Sequence, residues 1–205
     1  MDKSTTFNNV LGKYLPDAFV PYICDLIINS HVKFKIVAPR RSKLGDFRAN
    51  VKHNEKCQIS INGNLNPYAF LITTLHEIAH LKTFNQYGNR VNPHGQEWKT
   101  EFASLLEPIL NNNQLPNDLK KVLQKSIKNI KASSFSDIEL SRTLKKYDST
   151  KGTSVLEDLN EDCLFKLNKK VYSKGKLRRT RYLCKEISSG KSYLVHALAE
   201  VNRIE

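Results

Sequence analysis

Apolar positions recur along the chain with two different periods, and the changes of period lay out its elements. Residues 16–30, PDAFVPYICDLIINS, place Phe19, Ile23, Leu26 and Ile27 three and four apart, which predicts an amphipathic helix opened by Pro16 and Asp17. The next stretch, HVKFKIVA, alternates apolar and charged residues, as a half-buried strand does. PRRSKLGDFRANV begins as a basic loop and returns to strand character near Phe47. CQISIN is a short strand, closed by the turn cluster GNLNP. These pieces predict a helix followed by a small antiparallel sheet.

Pro67 suits the first turn of a long helix. Phe70, Leu71, Thr74, Leu75, Ile78, Leu81 and Lys82 follow at three- and four-residue steps. YGNRVNP is loop. HGQEWKTEFASLLEPIL regains helical spacing through Trp98, Phe102, Leu105 and Leu106, and Pro108 with NNNQLPND ends that unit. From 116 to 148 the chain is lysine-rich, with thin apolar anchors at Leu119, Val122, Leu123, Ile127, Ile130, Ile138, Leu140 and Leu144. It reads as two thin helices or a partly flexible linker. After the break DSTKGTS come strand-like pieces, CLFKLN, YSKGK, LRRTRYLC and YLVHALAEV, which predict a three-stranded antiparallel module. The expected organisation is α+β: a first domain at 1–112, a helical linker at 113–152 and a basic β-rich module at 153–205.

Composition narrows the class. With 40% hydrophobic and 26% charged residues, the chain can bury a real core. The N-terminus MDKSTTFNNV lacks the pattern of a secretion signal. The apolar run FVPYICDLII is broken by Pro21 and Asp25 and is too short to span a bilayer. The expectation is a soluble, cytoplasmic protein with no membrane partner. Cys24, Cys57, Cys163 and Cys184 form no CxxC pair, so they are expected as free thiols. The net charge of +13 is uneven. Residues 1–110 hold 13 basic against 9 acidic residues, and residues 111–205 hold 20 against 11. That surplus makes a polyanion a plausible partner. No pattern specifies an oligomeric state.

The chemistry concentrates in TTLHEIAHLKTFNQYGNRVNPHGQEW, residues 73–98. His76 and His80 stand four apart, so one face of a helix presents both imidazoles to a single metal ion. Glu77, between them, is placed to take a proton from a water beside that ion. A catalytic zinc needs a third protein ligand. His94 leads, after a loop containing Gly88 and Pro93 and before Gly95, while Glu97 and Glu101 on the next helix remain open as alternatives. The longer HExxHxxGxxH pattern with a methionine turn is excluded, because Thr83 and Gln86 stand at its Gly and His positions and the sole methionine is Met1. His31 and His53 are expected at strand ends on the surface, and His196 within a strand.

LHEIAH and PHGQEW, with the upstream RRSKLGDFR and ISIN, resemble the SprT/Spartan-like family of zinc metalloproteases over about residues 10–110. The resemblance implies a zincin-like metalloprotease domain with one catalytic Zn²⁺ on His76, His80 and His94 and Glu77 as general base. It implies a protein substrate and a link to nucleic acid, DNA rather than RNA. Many bacterial members end in a zinc ribbon with paired CxxC motifs. Here only Cys163 and Cys184 fall in that region, so the C-terminal module is expected to resemble the ribbon without its cysteines. The strand around Gln58–Asn62 is expected to pair with a substrate strand, and Tyr87 to stabilise an oxyanion.

The segment KLNKKVYSKGKLRRTRYLCK, 166–185, holds nine Lys and Arg and no acid. Lys169, Lys170, Lys174, Lys176, Arg178, Arg179 and Arg181 are its candidate phosphate contacts, with Tyr172 and Tyr182 placed to stack on bases and RRSK at 40–43 as a possible extension. Two functions follow. One is a zinc endopeptidase acting on proteins near nucleic acid. The other is a basic nucleic-acid-binding protein with a non-catalytic zinc site.

Overall fold

The computed structural model describes residues 3–40, 42–49, 56–128, 137–148 and 154–204. His53, Arg41, Ile130 and most of the 148–154 break lie outside them. The chain divides into two compact units at Asp148/Ser149.

In the first unit, helix α1 (Lys3–Leu11) leads to α2 (Val20–Asn29), which carries Pro21 in its first turn and buries Val20, Ile23, Cys24 and Ile27. Three strands follow: β1 (Lys33–Val37), β2 (Gly45–Arg48) and β3 (Gln58–Asn62). Their order is β1-β3-β2, with β3 parallel to β1 and antiparallel to β2. The expected antiparallel sheet is therefore a mixed one. The reason lies in burial: Ile59 and Ile61 are fully buried, and Ser60 and Asn62 nearly so, which fits only a central strand. Arg40 makes that burial tolerable. Its guanidinium donates to Asn62 Oδ1 (2.8 Å), Ser60 Oγ (3.0 Å) and the Ser60 carbonyl (3.1 Å). Asn62 in turn donates to the carbonyls of Arg40 and Lys43.

Helix α3 (Pro67–Tyr87) runs through the middle of this unit. Asn66 caps it by accepting from the Ala69 N–H at 2.9 Å. Most of its residues are buried, including Phe70, Leu71, Leu75 and Ile78. Helix α4 (Gln96–Leu110) packs beside it through Trp98, Phe102, Leu105 and Leu106 and continues past Pro108. Helices α5 (Asn117–Lys128) and α6 (Ile138–Lys145) place Leu119, Leu123, Leu140 and Leu144 in the same core. The stretch expected as a linker is thus part of the first unit. Asn66 ties α6 to the start of α3 by donating to the Leu144 carbonyl (2.9 Å) and Asp148 Oδ1 (2.6 Å).

The second unit is a six-stranded sheet rather than a three-stranded one: β4 (Ser154–Val155), β5 (Leu164–Leu167), β6 (Lys170–Arg178), β7 (Arg181–Glu186), β8 (Ser192–His196) and β9 (Glu200–Arg203), ordered β4-β9-β5-β6-β7-β8. YLVHALAEV, read as one strand, breaks into β8 and β9 at a turn where the Ala199 N–H bonds the His196 carbonyl. Asn168 and Lys169, both at positive φ, make the two-residue β5–β6 turn. Leu156, Phe165, Tyr172, Cys184, Val195 and Val201 form a separate core. All four cysteines of the chain are free thiols. No helix among the described residues is long and apolar enough to cross a membrane.

Leu144→Ala tests whether α6 belongs to the first core. Trp98, the sole tryptophan, reports that unit alone. Its fluorescence in urea should show a loss of about 2–5 kcal/mol, the usual cost of such a truncation. An unchanged midpoint would return α6 to the role of linker.

Candidate metal centre

The site begins with helix geometry. Four residues make just over one turn, so His76 and His80 project from the same side of α3. His94 meets them from the loop before α4. The three Nε2 atoms form a tight triangle, 3.2 Å from His76 to His80, 2.9 Å from His80 to His94 and 3.1 Å from His94 to His76. Reaching this point puts His94 at φ +63°, a region non-glycine residues seldom occupy. Gly95 follows because a Cβ there would lie 2.9 Å from the Asn92 carbonyl oxygen. The turn is closed by the Gly95 N–H bonding that same carbonyl at 2.8 Å.

Such a triangle cannot be a closed ring of hydrogen bonds. A neutral imidazole Nε2 is either a donor or an acceptor. Around three such atoms, at least one side must join two donors or two acceptors. A single cation inside the triangle satisfies three lone pairs at once. The size also fits, since tetrahedral ligands about 2.0–2.1 Å from a zinc ion stand roughly 3.3 Å apart. Among the described residues, His76, His80 and His94 are the cluster that could hold a metal ion. Glu97 and Glu101, the alternative third ligands, lie outside it, and Glu101 faces Lys82 at 3.7 Å.

Trp98 is the common wall of the triangle. It is fully buried, with ring centroids 4.7 Å from His76, 5.3 Å from His80 and 4.7 Å from His94, and it stacks on Phe102. Phe47 of β2 lies parallel to the His80 ring at 6.3 Å. This apolar surround favours neutral imidazoles. Burial first, then its two neighbours, lowers the His76 pKa to about 3. Burial and His94 lower that of His80 to about 4, and burial lowers that of His94.

Glu77 sits beside the triad and is 7% exposed. Burial, with the charge of Asp46, raises its pKa to about 7, although a hydrogen bond from the Phe47 N–H and the charges of Arg40 and Lys43 pull the other way. Strand β2 thus clamps this carboxyl. Gly45, on the same strand, is the residue that sequence reasoning missed. A Cβ there would fall 2.5 Å from Glu77 Oε1 and 2.7 Å from Thr73 Cγ2. Its only signal was a glycine inside a strand, LGDFR. The triad and Glu77 open on a cleft of about 540 Å³, lined also by Gly45, Asp46, Phe47, Phe84, Asn89, Val91, Asn92 and Pro93. Tyr87 does not line it.

The basic candidates separate. Lys169, Lys176, Arg178, Arg179 and Arg181 are exposed. Lys170 pairs with Glu186 at 3.0 Å. Lys174 is 3% exposed, donates to the Glu157 and Leu159 carbonyls and lies 4.0 Å over the Tyr182 ring, so it is a core residue and not a phosphate contact. Tyr172 is buried against Phe165 at 5.6 Å, which removes it as a stacking platform. Of RRSK, Arg40 is taken up by β3 and Lys43 by Asp46. His31 is exposed, and His196 Nδ1 accepts from the Leu198 N–H.

Residues 28–121 match the SprT-like family. Protein SprT of Pseudomonas fluorescens (strain SBW25) is 36% identical over 89 residues, covering 41% of this chain and 54% of that protein. The chain therefore spans about half the length of that curated relative. No solved structure matches. The region similar to the SprT-like family, residues 28–121, holds the triad and the residues of its cleft.

The buried carboxyl makes a signed prediction. Its folded pKa is raised, so the stability it contributes is complete below about 4.5, its ordinary value, and is lost as pH rises through about 7. In chelator, Glu77→Gln should become progressively more stable than the parent between pH 4.5 and 7.5, by on the order of 3 kcal/mol. A stability difference that stays flat with pH across that range would contradict the raised pKa.

Proposed function

We propose that this protein is a zinc-dependent endopeptidase of the SprT-like type. The observation that carries the reading is a buried carboxyl beside three converging imidazoles at the floor of one cleft. Three nitrogen donors suit zinc and disfavour the oxygen-seeking magnesium and calcium. His76, His80 and His94 would hold the ion, and an open fourth position is what distinguishes a catalytic from a structural site. Zinc held there supplies Lewis acidity toward water and a carbonyl oxygen. Glu77 takes the proton of the attacking water and returns it to the departing amine; a base that titrates near neutrality is suited to both steps.

The substrate strand has a different seat from the one the sequence suggests. Strand β3 is paired on both sides, so Gln58–Asn62 has no free backbone to offer. Strand β2 is the edge of that sheet, and Gly45, Asp46 and Phe47 line the cleft. An extended peptide adds to β2 and passes over Glu77. Phe47, Phe84, Val91 and Pro93 then cover apolar side chains. Proteins held on nucleic acid are the proposed targets. That part rests on the +13 charge and on the exposed cations around the β6–β7 turn, among them Lys176, Arg178 and Arg179.

The deciding experiment follows cleavage of a basic, loosely folded protein by the zinc-loaded enzyme, with and without single-stranded DNA. Glu77→Gln should keep one zinc and lose at least about 10³-fold in rate. Cleavage by that variant at the parental rate would remove Glu77 from the mechanism. His94→Ala should lose most of the metal; full occupancy would overturn His94 as a ligand. Gly45→Ala should keep its zinc yet fall at least about tenfold in kcat, because the new methyl displaces the Glu77 carboxyl. An unchanged kcat would show that β2 does not position the base.

A further inference from the structure

The second unit's sheet has a face that its own core does not use. In β5–β8, Phe165, Tyr172, Cys184 and Val195 turn inward. Alternation sends their neighbours to the opposite side. There the register sets Leu183 against Leu194, and Leu164 in one row with Ser173 and Lys185. Leu164 is 40% exposed and Leu194 51%. Ile187, just past β7 and bonded through its N–H to the Val171 carbonyl, is 54% exposed. Lys166, Arg181 and Lys185 are exposed on this side too. The four strands contain one acid, Glu186, and it turns inward to Lys170. Tyr172, Tyr182 and Tyr193 also belong to the inward face.

The face of β5–β8 is built of aliphatic side chains and cations, with no acid and one ring, the His196 imidazole opposite Arg181, and such a surface has a restricted set of partners. Nucleic acid would use the cations but leave the leucines covering nothing apolar, and the one ring on this face, His196, is already engaged through Nδ1 by the Leu198 N–H. A second copy of this chain would bring the same positive face against it. We infer that this face docks an acidic amphipathic helix of a partner protein, with its leucine stripe on Leu164, Leu183 and Leu194 and its carboxylates on Lys166, Arg181 and Lys185. The dimensions agree. Leu164 on β5 and Leu194 on β8 lie three strand spacings apart, roughly 14 Å, which a helix crossing the strands spans in about ten residues at about 1.5 Å each. An exposed patch of this kind marks an interaction site in a soluble domain.

The test uses the full chain carrying Glu77→Gln, so that no probe is cut and the outcome does not depend on the proposed peptidase activity. The probe is a fluorescein-labelled helical peptide of glutamate with leucine at every third and fourth position, followed by anisotropy. Binding should weaken with salt, and by roughly tenfold in Leu164→Ser/Leu194→Ser and in Lys166→Gln/Lys185→Gln. All four positions are exposed, so the variants should keep the parental circular dichroism and melting temperature. Parallel titrations use a single-stranded oligonucleotide and phosphatidylserine vesicles. Vesicle binding that depends on the two leucines would assign the face to a lipid surface. Oligonucleotide binding that depends on the two lysines and ignores the leucines would assign it to nucleic acid. Either result without peptide binding, or no binding of any probe, overturns the proposal.

Discussion

Three imidazole nitrogens held about 3 Å apart cannot satisfy one another, and the first unit is organised around keeping them there. Two come from a single helical face, so their spacing is set by the backbone of α3. The third requires a left-handed residue at His94 and a glycine after it. Trp98 then fills the space behind all three rings and fixes their tilt. Neutral rings in an apolar pocket are poor bases but available ligands. The crowding that disfavours the metal-free arrangement is therefore the same feature that prepares it for a cation.

Strand β2 links this triangle to the rest of the cleft. One of its residues stacks on His80 and donates its N–H to Glu77, another leaves room for that carboxyl, and both line the cleft. The strand is held in turn by β3, whose buried Ser60 and Asn62 depend on Arg40. A chain of contacts thus runs from a loop arginine to the Glu77 carboxyl, through polar groups that would otherwise be stranded inside the sheet.

The parts of the site that were legible in the sequence are local ones. His76, Glu77 and His80 lie within one turn and a half of a helix, and His94 returns to them over a short loop, so spacing alone suggested their meeting. The sheet order was not legible. QISIN alternates like a half-exposed strand, and only Arg40, far along the chain, shows why both of its faces are buried. Lysines masked α5 and α6 in a similar way, because a stripe as thin as Leu119, Leu123, Leu140 and Leu144 gains its meaning only against a neighbouring core. In the tail, counting charges could not tell that Lys174 turns inward. That depends on strand phase, and an irregularity between Lys174 and Leu177 shifts the phase within β6.

Gly45 also bears on how relatives of this protein are sorted. A chain that kept His76, Glu77, His80 and His94 but carried a larger side chain at this one position would still display the whole recognisable motif. On the proposed reading its three imidazoles would still hold an ion, yet its carboxylate would be pushed aside by a methyl group on a different element. Loss of catalysis by that route leaves no mark on the signature by which such proteins are grouped. The residue that separates a working member from a metal-binding remnant then stands some thirty positions upstream of the motif, in a strand.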